Sequence, residues 1–416
     1  MTIPARLSDA QSAFLREEGL MKVMKLIEDA GGEVRVNGGA VRNSLLGEPV
    51  RDVDLSTTLL PDHVTDCLQR GGIKVVPTGR EHGTVTAVAE GRGIEVTTLR
   101  MDVETDGRRA VVRFGTDWAE DAKRRDLTMN ALYCDRQGRL FDPLEVHDDL
   151  VNRRVRFIGD ADQRIAEDHL RILRFFRFFA WYGNGRPDAE GLKACARARE
   201  TISSLSAERV WMELKKLLEA GDPSRALLWM RTSGVLQAVL PESEKWGIDA
   251  FPALVAAERS QQLRSDALLR LMAMLPPVPT AVSALCARMR LSGAEAERLN
   301  AWAGAALPGA DLKGPDLEKH LYRAGLRPSL DKLLIELARL QTYDGEADLI
   351  TARVSQYREG AKWQRPQFPV SGRDLIEQGH AAGKGMGEIL SRLEQAWIES
   401  GFTLPKSDLL KLASEA

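Results

Sequence analysis

The chain has 416 residues, 44% hydrophobic and 28% charged, with a formal net charge of −2; this is a globular composition with room for several domains, and its near-neutral charge excludes a protein that coats nucleic acid non-specifically. Cys67, Cys134, Cys195 and Cys286 are scattered with no C-x-x-C and the six histidines are dispersed, so neither a zinc site nor a disulfide framework is expected. No basic start leads into an apolar run and no apolar stretch approaches the length of a membrane span, so the expected setting is a reducing cytoplasm without a membrane.

Residues 8–29 read as one amphipathic helix with Phe14, Leu15, Met21, Met24 and Leu26 on its apolar side. Val34 and Val36 then lead as a strand into Gly38-Gly39, where a turn without Cβ atoms lets backbone N–H groups approach a phosphate. Ala40 to Leu46 form a short helix whose N-terminus faces that turn and favours an anion, and Arg42 in its first turn can add a guanidinium fork. A second strand carries Asp52-Val53-Asp54-Leu55, where residues two apart share a face, so both carboxylates point together. Hard oxygen ligands of this kind suit Mg²⁺ held between protein carboxylates and substrate phosphates, half of a two-metal transfer site. D-x-D alone is more often a solvated strand edge; a glycine pair, an arginine and D-x-D all between residues 38 and 54 favour the site.

A helix from Pro61 to about Arg70 and a strand from Ile73 to Pro77 follow, then strands Thr84 to Ala89 and Ile94 to Leu99 joined by Glu90-Gly91-Arg92-Gly93. Glu95 shares a strand face with Thr97 and Leu99 and is either a third carboxylate for the metal pair or a solvated side chain beside a turn. Asp102 to Arg109 reads as a mobile polar loop. After a charged helical start at Asp117 to Lys123, Arg125, Asp126 and Asn130 mix a guanidinium, a carboxylate and an amide able to hold phosphate and ribose hydroxyls, although R-R-D also serves simply to cap a helix.

From Val151 onward the strand signals fade into amphipathic helices, with breaks near Gly183-Asn184-Gly185, Gly221-Asp222-Pro223, Pro276-Pro277, Pro308 to Gly314 and Arg365 to Gly372. The predicted architecture is α+β, a small α/β head followed by an all-helical remainder. Residues 160–182 carry Ile165, Ile172, Leu173, Phe176 and Phe179 on an apolar side, while Asp168, Arg171, Arg174 and Arg177 recur in steps of three as one stripe. One reading is a surface salt-bridge ladder, worth little. The other is a template: a fixed carboxylate beside a fixed guanidinium matches the donor and acceptor edges of cytosine and adenine and mismatches uracil and guanine, a discrimination of up to roughly 10⁴-fold. Residues 206–218 read as a helix with Ser206 as N-cap, Val210, Trp211, Leu214, Leu217 and Leu218 inside, and Glu213, Lys215 and Lys216 outside.

Taken together, Gly38-Gly39-Ala40-Val41-Arg42, Asp52-Val53-Asp54, Asp106-Gly107-Arg108-Arg109, Arg124 to Ala131, Glu167-Asp168-His169-Leu170-Arg171 and Ser206-Ala207-Glu208-Arg209 resemble the motifs of the bacterial class II tRNA nucleotidyltransferase and poly(A) polymerase family. The resemblance covers about the first half of the chain. Position 127 is Leu where that family more often has Phe, a change of packing. It implies a nucleotidyltransferase head over 1–150, a helical neck with the nucleotide-selecting helix over 151–220, a helical body over 221–310 and an RNA-binding tail over 311–416. It further implies metal binding at Asp52 and Asp54, with Glu95 as a third acidic residue, and triphosphate contacts from Gly38, Gly39 and Arg42. Sugar or phosphate contacts fall on Arg125, Asp126 and Asn130, and base selection on Asp168 and Arg171, with Arg174 and Arg177 completing the pocket. The implied reaction is addition of C-C-A to tRNA from CTP and ATP with Mg²⁺. Poly(A) synthesis, CC-only or A-only addition and a non-catalytic RNA-binding scaffold are the alternatives. The family's appended HD phosphohydrolase is not expected, since His147-Asp148 lacks partner histidines.

Overall fold

The computed structural model describes residues 3–79, 83–106, 109–243, 248–381 and 383–414. The chain divides into two compact units, Met1–Pro241 and Glu242–Ala416.

The first unit opens with a 3-10 turn, Ala13–Arg16, and helix α1, Glu18–Asp29, instead of one helix over 8–29. Glu17 between them is extended, with φ −67° and ψ 118°, and this bend lets Phe14 and Leu15 be buried separately from Leu20, Met24 and Ile27. Strand β1, Val34–Asn37, helix α2, Gly39–Leu46, and strand β2, Asp54–Thr57, follow. Asp52 and Val53 precede β2 and are not part of it, so the two aspartates are not two positions of one strand face.

Helix α3, Pro61–Arg70, leads to β3, Lys74–Gly79, and the hairpin of β4, Thr84–Ala89, with β5, Arg92–Thr98. The hairpin turn is the two residues Glu90 and Gly91, with φ of 50° and 75°, the pairing that matches strand twist. Leu99 follows the end of β5 and is fully buried, so it does not share the open face of Glu95 and Thr97. Asp102 to Asp106 and Arg109 are not loop: β6, Arg100–Asp106, pairs antiparallel with β7, Arg109–Phe114, while Gly107 and Arg108 lie outside the described residues.

Helix α4, Trp118–Lys123, starts at Asp117, whose carboxylate accepts from the N–H groups of Ala119 and Glu120. Short strands β8, Tyr133–Cys134, and β9, Leu140–Phe141, complete a seven-stranded sheet of order β3-β4-β5-β2-β1-β8-β9, in which β2 and β5 run parallel and the other neighbours antiparallel. Val34, Val36, Leu55, Val85, Ala87 and Val96 are buried along its central strands.

Helices α5, His147–Val151, α6, Ala161–Glu167, α7, Arg171–Tyr182, α8, Ala189–Arg197, α9, Ala207–Leu218, α10, Ser224–Thr232, and α11, Val235–Val239, finish the unit. The expected continuous helix over 160–182 is broken: Asp168, at φ −152° and ψ 106°, ends α6, and α7 begins at Arg171. Ser206 is the N-cap residue of α9, though its hydroxyl makes no capping bond.

The second unit is helical throughout its described residues, from α12, Phe251–Ser260, to a last helix at Lys406–Ser414. Tyr322, Leu375, Leu393, Trp397, Ile398 and Leu409 form a core there. Each of the five Gly/Pro breaks expected after Val151 falls at a junction between helices. Among the described residues no helix is long and apolar enough to cross a membrane, and all four cysteines are free and buried.

Candidate active site

The first unit holds an open cleft of about 520 Å³, a volume suited to a nucleotide-sized ligand. Gly38, Gly39, Arg42, Asp54, Arg125, Asp126, Asn130, Asp168, Arg171 and Arg174 all line it, joined by Arg124, Leu170, Phe178 and Arg209. Stretches over a hundred residues apart in sequence therefore meet in one concavity. Arg177, Asp52 and Glu95 are not among its lining residues.

The floor is built from β1 and α2. Gly38 is the N-cap of α2 at φ 58° and ψ −113°, a conformation that a side chain would strain. A Cβ there would stand 3.6 Å from Arg125 Nη1. The turn thus presents bare backbone next to a helix N-terminus, the geometry that receives phosphate.

Beside it Asp54 opens β2, and in the parallel register with β5 it stands opposite Glu95. The Asp54 carboxyl is pushed above its ordinary value, first by desolvation and then by the charges of Glu95 and Asp52, with Arg125 pulling the other way. A carboxyl raised by burial and by neighbouring acidic groups in this way is one that a cation would relieve, and hard oxygen donors of this kind fit a divalent ion. Among the described residues no three His, Cys, Asp or Glu side chains stand close enough to hold an ion alone, so such an ion would also draw oxygens from a bound phosphate.

Arg125 does not reach freely into the cleft. Its guanidinium donates to Tyr133 Oη at 3.1 Å, Asn37 Oδ1 at 3.0 Å, Ser56 Oγ at 3.2 Å and Asp121 Oδ2 at 3.0 Å. Burial alone would lower its pKa; the charges of Tyr133 and Asp121 outweigh that and raise it. Arg124 donates to the other oxygen of Asp121, at 2.8 and 2.6 Å. Arg125 is therefore a buttress tying three strands to α4, with one edge on the cleft.

Asp126 is the centre of a second network. Its Oδ1 accepts from Asn130 Nδ2 at 3.0 Å and from the Leu127 N–H at 2.8 Å, and its Oδ2 accepts from Arg174 Nε at 2.7 Å. Burial raises its pKa, but Arg174 and Asn130 outweigh burial and hold it down to about 2. Asn130 in turn accepts from Arg42. Arg177 Nε donates to Glu213 Oε2 at 2.6 Å, with Arg174 Nη1 3.8 Å from the same carboxylate. Glu213, expected to face outward, is only 6% exposed and bridges α7 to α9.

Asp168 and Arg171 do line the cleft together, but not as neighbouring residues of one helical turn. Because the helix breaks at Asp168, its carboxylate turns to Arg209 Nη2, 3.1 and 3.0 Å from the two oxygens, and to the Leu170 N–H at 3.1 Å. Arg171 donates to Glu167 and, at 2.9 Å, to the Arg164 carbonyl. The acceptor and the guanidinium are thus held from outside by Arg209 and Glu167. Sequence reasoning missed the roles of Arg209 and Glu213. For Glu213 a signal existed: it stands three residues after Val210 and four before Leu217, on the apolar face of α9. For Arg209 the signal was its place in the Ser206-Ala207-Glu208-Arg209 motif, which marked the residue but not its partner on a separate element.

Residues 34–156 match the family described as the poly A polymerase head domain, and residues 186–246 the one described as a probable RNA and SrmB-binding site of polymerase A. The mitochondrial CCA tRNA nucleotidyltransferase 1 of Mus musculus is 35% identical over 417 aligned residues, spanning 98% of this chain and 92% of its own length. The CCA-adding enzyme of Levilactobacillus brevis is 31% identical, spanning 89% of this chain and 91% of its own. Among solved structures, the Bacillus stearothermophilus CCA-adding enzyme in complex with CTP superposes with a TM-score of 0.74 at 26% identity over 96% of both chains. The Thermotoga maritima CCA-adding enzyme complexed with tRNA shares the fold, with a TM-score of 0.60 at 19% identity over 100% of this chain and 99% of its own.

Proposed function

The chain belongs to the CCA tRNA nucleotidyltransferase family, and from that premise we propose how its cleft divides the work of adding C-C-A to the 3′ end of tRNA. The reaction takes CTP and ATP, releases pyrophosphate and uses no nucleic-acid template. The observation that carries the reading is the convergence of Gly38, Asp54, Asp126, Asp168 and Arg171 on one cleft.

Asp52 and Asp54, with Glu95 beside them, hold divalent cations, and we assign Mg²⁺. Bound there, two such ions would activate the RNA 3′-hydroxyl and steady the pyrophosphate leaving group. The Gly38-Gly39 turn and Arg42 receive the triphosphate, and Arg125 and Asn130 border the ribose. Asp126 anchors Asn130 and Arg174, so it acts through them. Asp168 and Arg171 present acceptor and donors to the base edge, matching cytosine and adenine. Arg174 and Arg177, tied to Glu213, stiffen α7, which carries Arg171 just after the Asp168 break.

We place the nucleotidyltransferase head at 1–150, the neck at 151–220, the body at 221–310 and an RNA-binding tail at 311–416, and take the cytoplasm as the compartment. The test offers tRNA lacking its end, and a generic RNA, each nucleotide singly and in pairs. Two C residues followed by one A on tRNA alone is the expected result; A-tracts on the generic RNA would replace this reading with poly(A) synthesis. Asp52→Ala is expected to stop transfer of both nucleotides.

A further inference from the structure

Arg42 lines the cleft at only 7% exposure, yet most of its guanidinium is already engaged within the protein. Nε and Nη2 donate to Asn43 Oδ1 at 3.1 and 2.9 Å, Nη1 donates to Asn130 Oδ1, and Nη2 also donates to the Tyr182 hydroxyl at 2.9 Å. These bonds use every N–H of the group except one on Nη1. The Tyr182 ring lies 4.2 Å from Cζ and the Phe178 ring 5.0 Å, both within cation–π range.

A long side chain keeps one orientation only when something outside its own helix holds it. Here the holders are Asn130 and the last turn of α7, the helix that starts beside Asp168 at Arg171. Arg174, Phe178 and Tyr182 recur every four residues along it, on one face. One rigid element thus carries the base-facing arginine at its N-terminus and the anchor of Arg42 at its C-terminus. Tyr182 is half-buried, and its hydroxyl meets Arg42 at the opposite end of the helix from Arg171.

We propose that Tyr182 is a positioning residue for the phosphate side of the site: its hydroxyl and ring hold the Arg42 guanidinium so that the remaining Nη1 donor meets the triphosphate of the incoming nucleotide. This rests on the nucleotidyl-transfer reading above. Because the anchor acts on phosphate, its effect is the same for CTP and ATP and leaves the choice between them unchanged.

The test measures binding of CTP, ATP and inorganic tripolyphosphate to the full chain by calorimetry, together with KM and kcat on tRNA lacking its end. Tyr182→Phe, which keeps the ring, is expected to weaken all three ligands by the same factor, roughly ten-fold for a bond to a charged group. Tyr182→Ala weakens them further, KM rises more than kcat falls, and Tyr182→Phe has no added effect in an Arg42→Lys background. A merely structural tyrosine would lower the melting temperature without moving tripolyphosphate affinity, and that result overturns the proposal. So do weakening of the nucleotides with tripolyphosphate unchanged, an undiminished effect in the Arg42→Lys background, or no tripolyphosphate binding by the unaltered protein. If tripolyphosphate follows Tyr182 as expected but no C-C-A is added to tRNA, the reaction assigned above fails and the positioning role stands.

Discussion

At the scale of single residues, Asp126 gives the clearest dependence on pH. Its carboxyl is held down to about 2 from an ordinary value of 3.8, so its ionised form contributes about 2 kcal/mol to folding. The sign follows from the depressed value: the contribution is complete above about pH 4 and disappears as pH falls through about 2. Denaturant melts of the protein and of Asp126→Asn should therefore differ at neutral pH and converge on acidification across that window. Arg209 is the other residue whose weight only its partner reveals. With its guanidinium against both oxygens of Asp168, Arg209→Ala leaves that carboxylate free to turn. Incorporation of UTP and GTP in place of CTP is expected to rise roughly ten-fold, about the worth of one charge-assisted bond, while metal-dependent transfer continues. Unchanged selectivity with each nucleotide offered singly would remove Arg209 from base choice.

At the scale of elements, the turn between β1 and α2 and the contact of α7 with α9 carry opposite kinds of cost. Gly38 sits at φ 58° and ψ −113°, where Gly38→Ala costs about 1–3 kcal/mol of backbone strain. The variant should melt lower and lose CTP and ATP binding together, because the same turn exposes the backbone that receives phosphate. Glu213 stands in a low-dielectric contact, its carboxylate 2.6 Å from Arg177. Glu213→Gln leaves the half-buried Arg177 without its nearest counter-charge, at a cost of about 1–3 kcal/mol for the charge-assisted bond, which chemical denaturation would read directly. The break at Asp168 belongs to this scale as well. A helix continued through 168–170 would carry Asp168 around with its turn; the extended backbone there lets Asp168 meet Arg209 from α9.

For the whole molecule, the chain forms two compact units, with the boundary at Pro241 and Glu242, and the cleft belongs entirely to the first. Calorimetry should resolve two unfolding transitions, and saturating CTP should raise one of them by ligand linkage while leaving the other in place. A single transition that moves as one with CTP would show that the units unfold together.

Much of the chemistry was legible in local sequence because it depends on local rules. A glycine pair before a helix predicts a strained turn at the helix start, and Gly38 has that backbone at φ 58°; the paired aspartates predict one strand face, and only Asp54 is on the strand. A stripe of charges beside an apolar face announces a helix with work on its polar side. Five strands of the sheet, a hairpin near 90–93 and the helical remainder follow from the same periodicities, whereas the two-residue strands β8 and β9 and the β6–β7 pair, read as loop, carried too little pattern to announce themselves. What the sequence could not decide was partnership across distance. Arg42 looked free and is gripped by Tyr182; Arg125 looked like a ligand contact and is mainly a buttress; Asp168 looked like the helical neighbour of Arg171 and is held by Arg209. Hydrogen bonds between charged groups are settled by which buried donor finds which acceptor once the elements pack, and that pairing exists only in the folded chain.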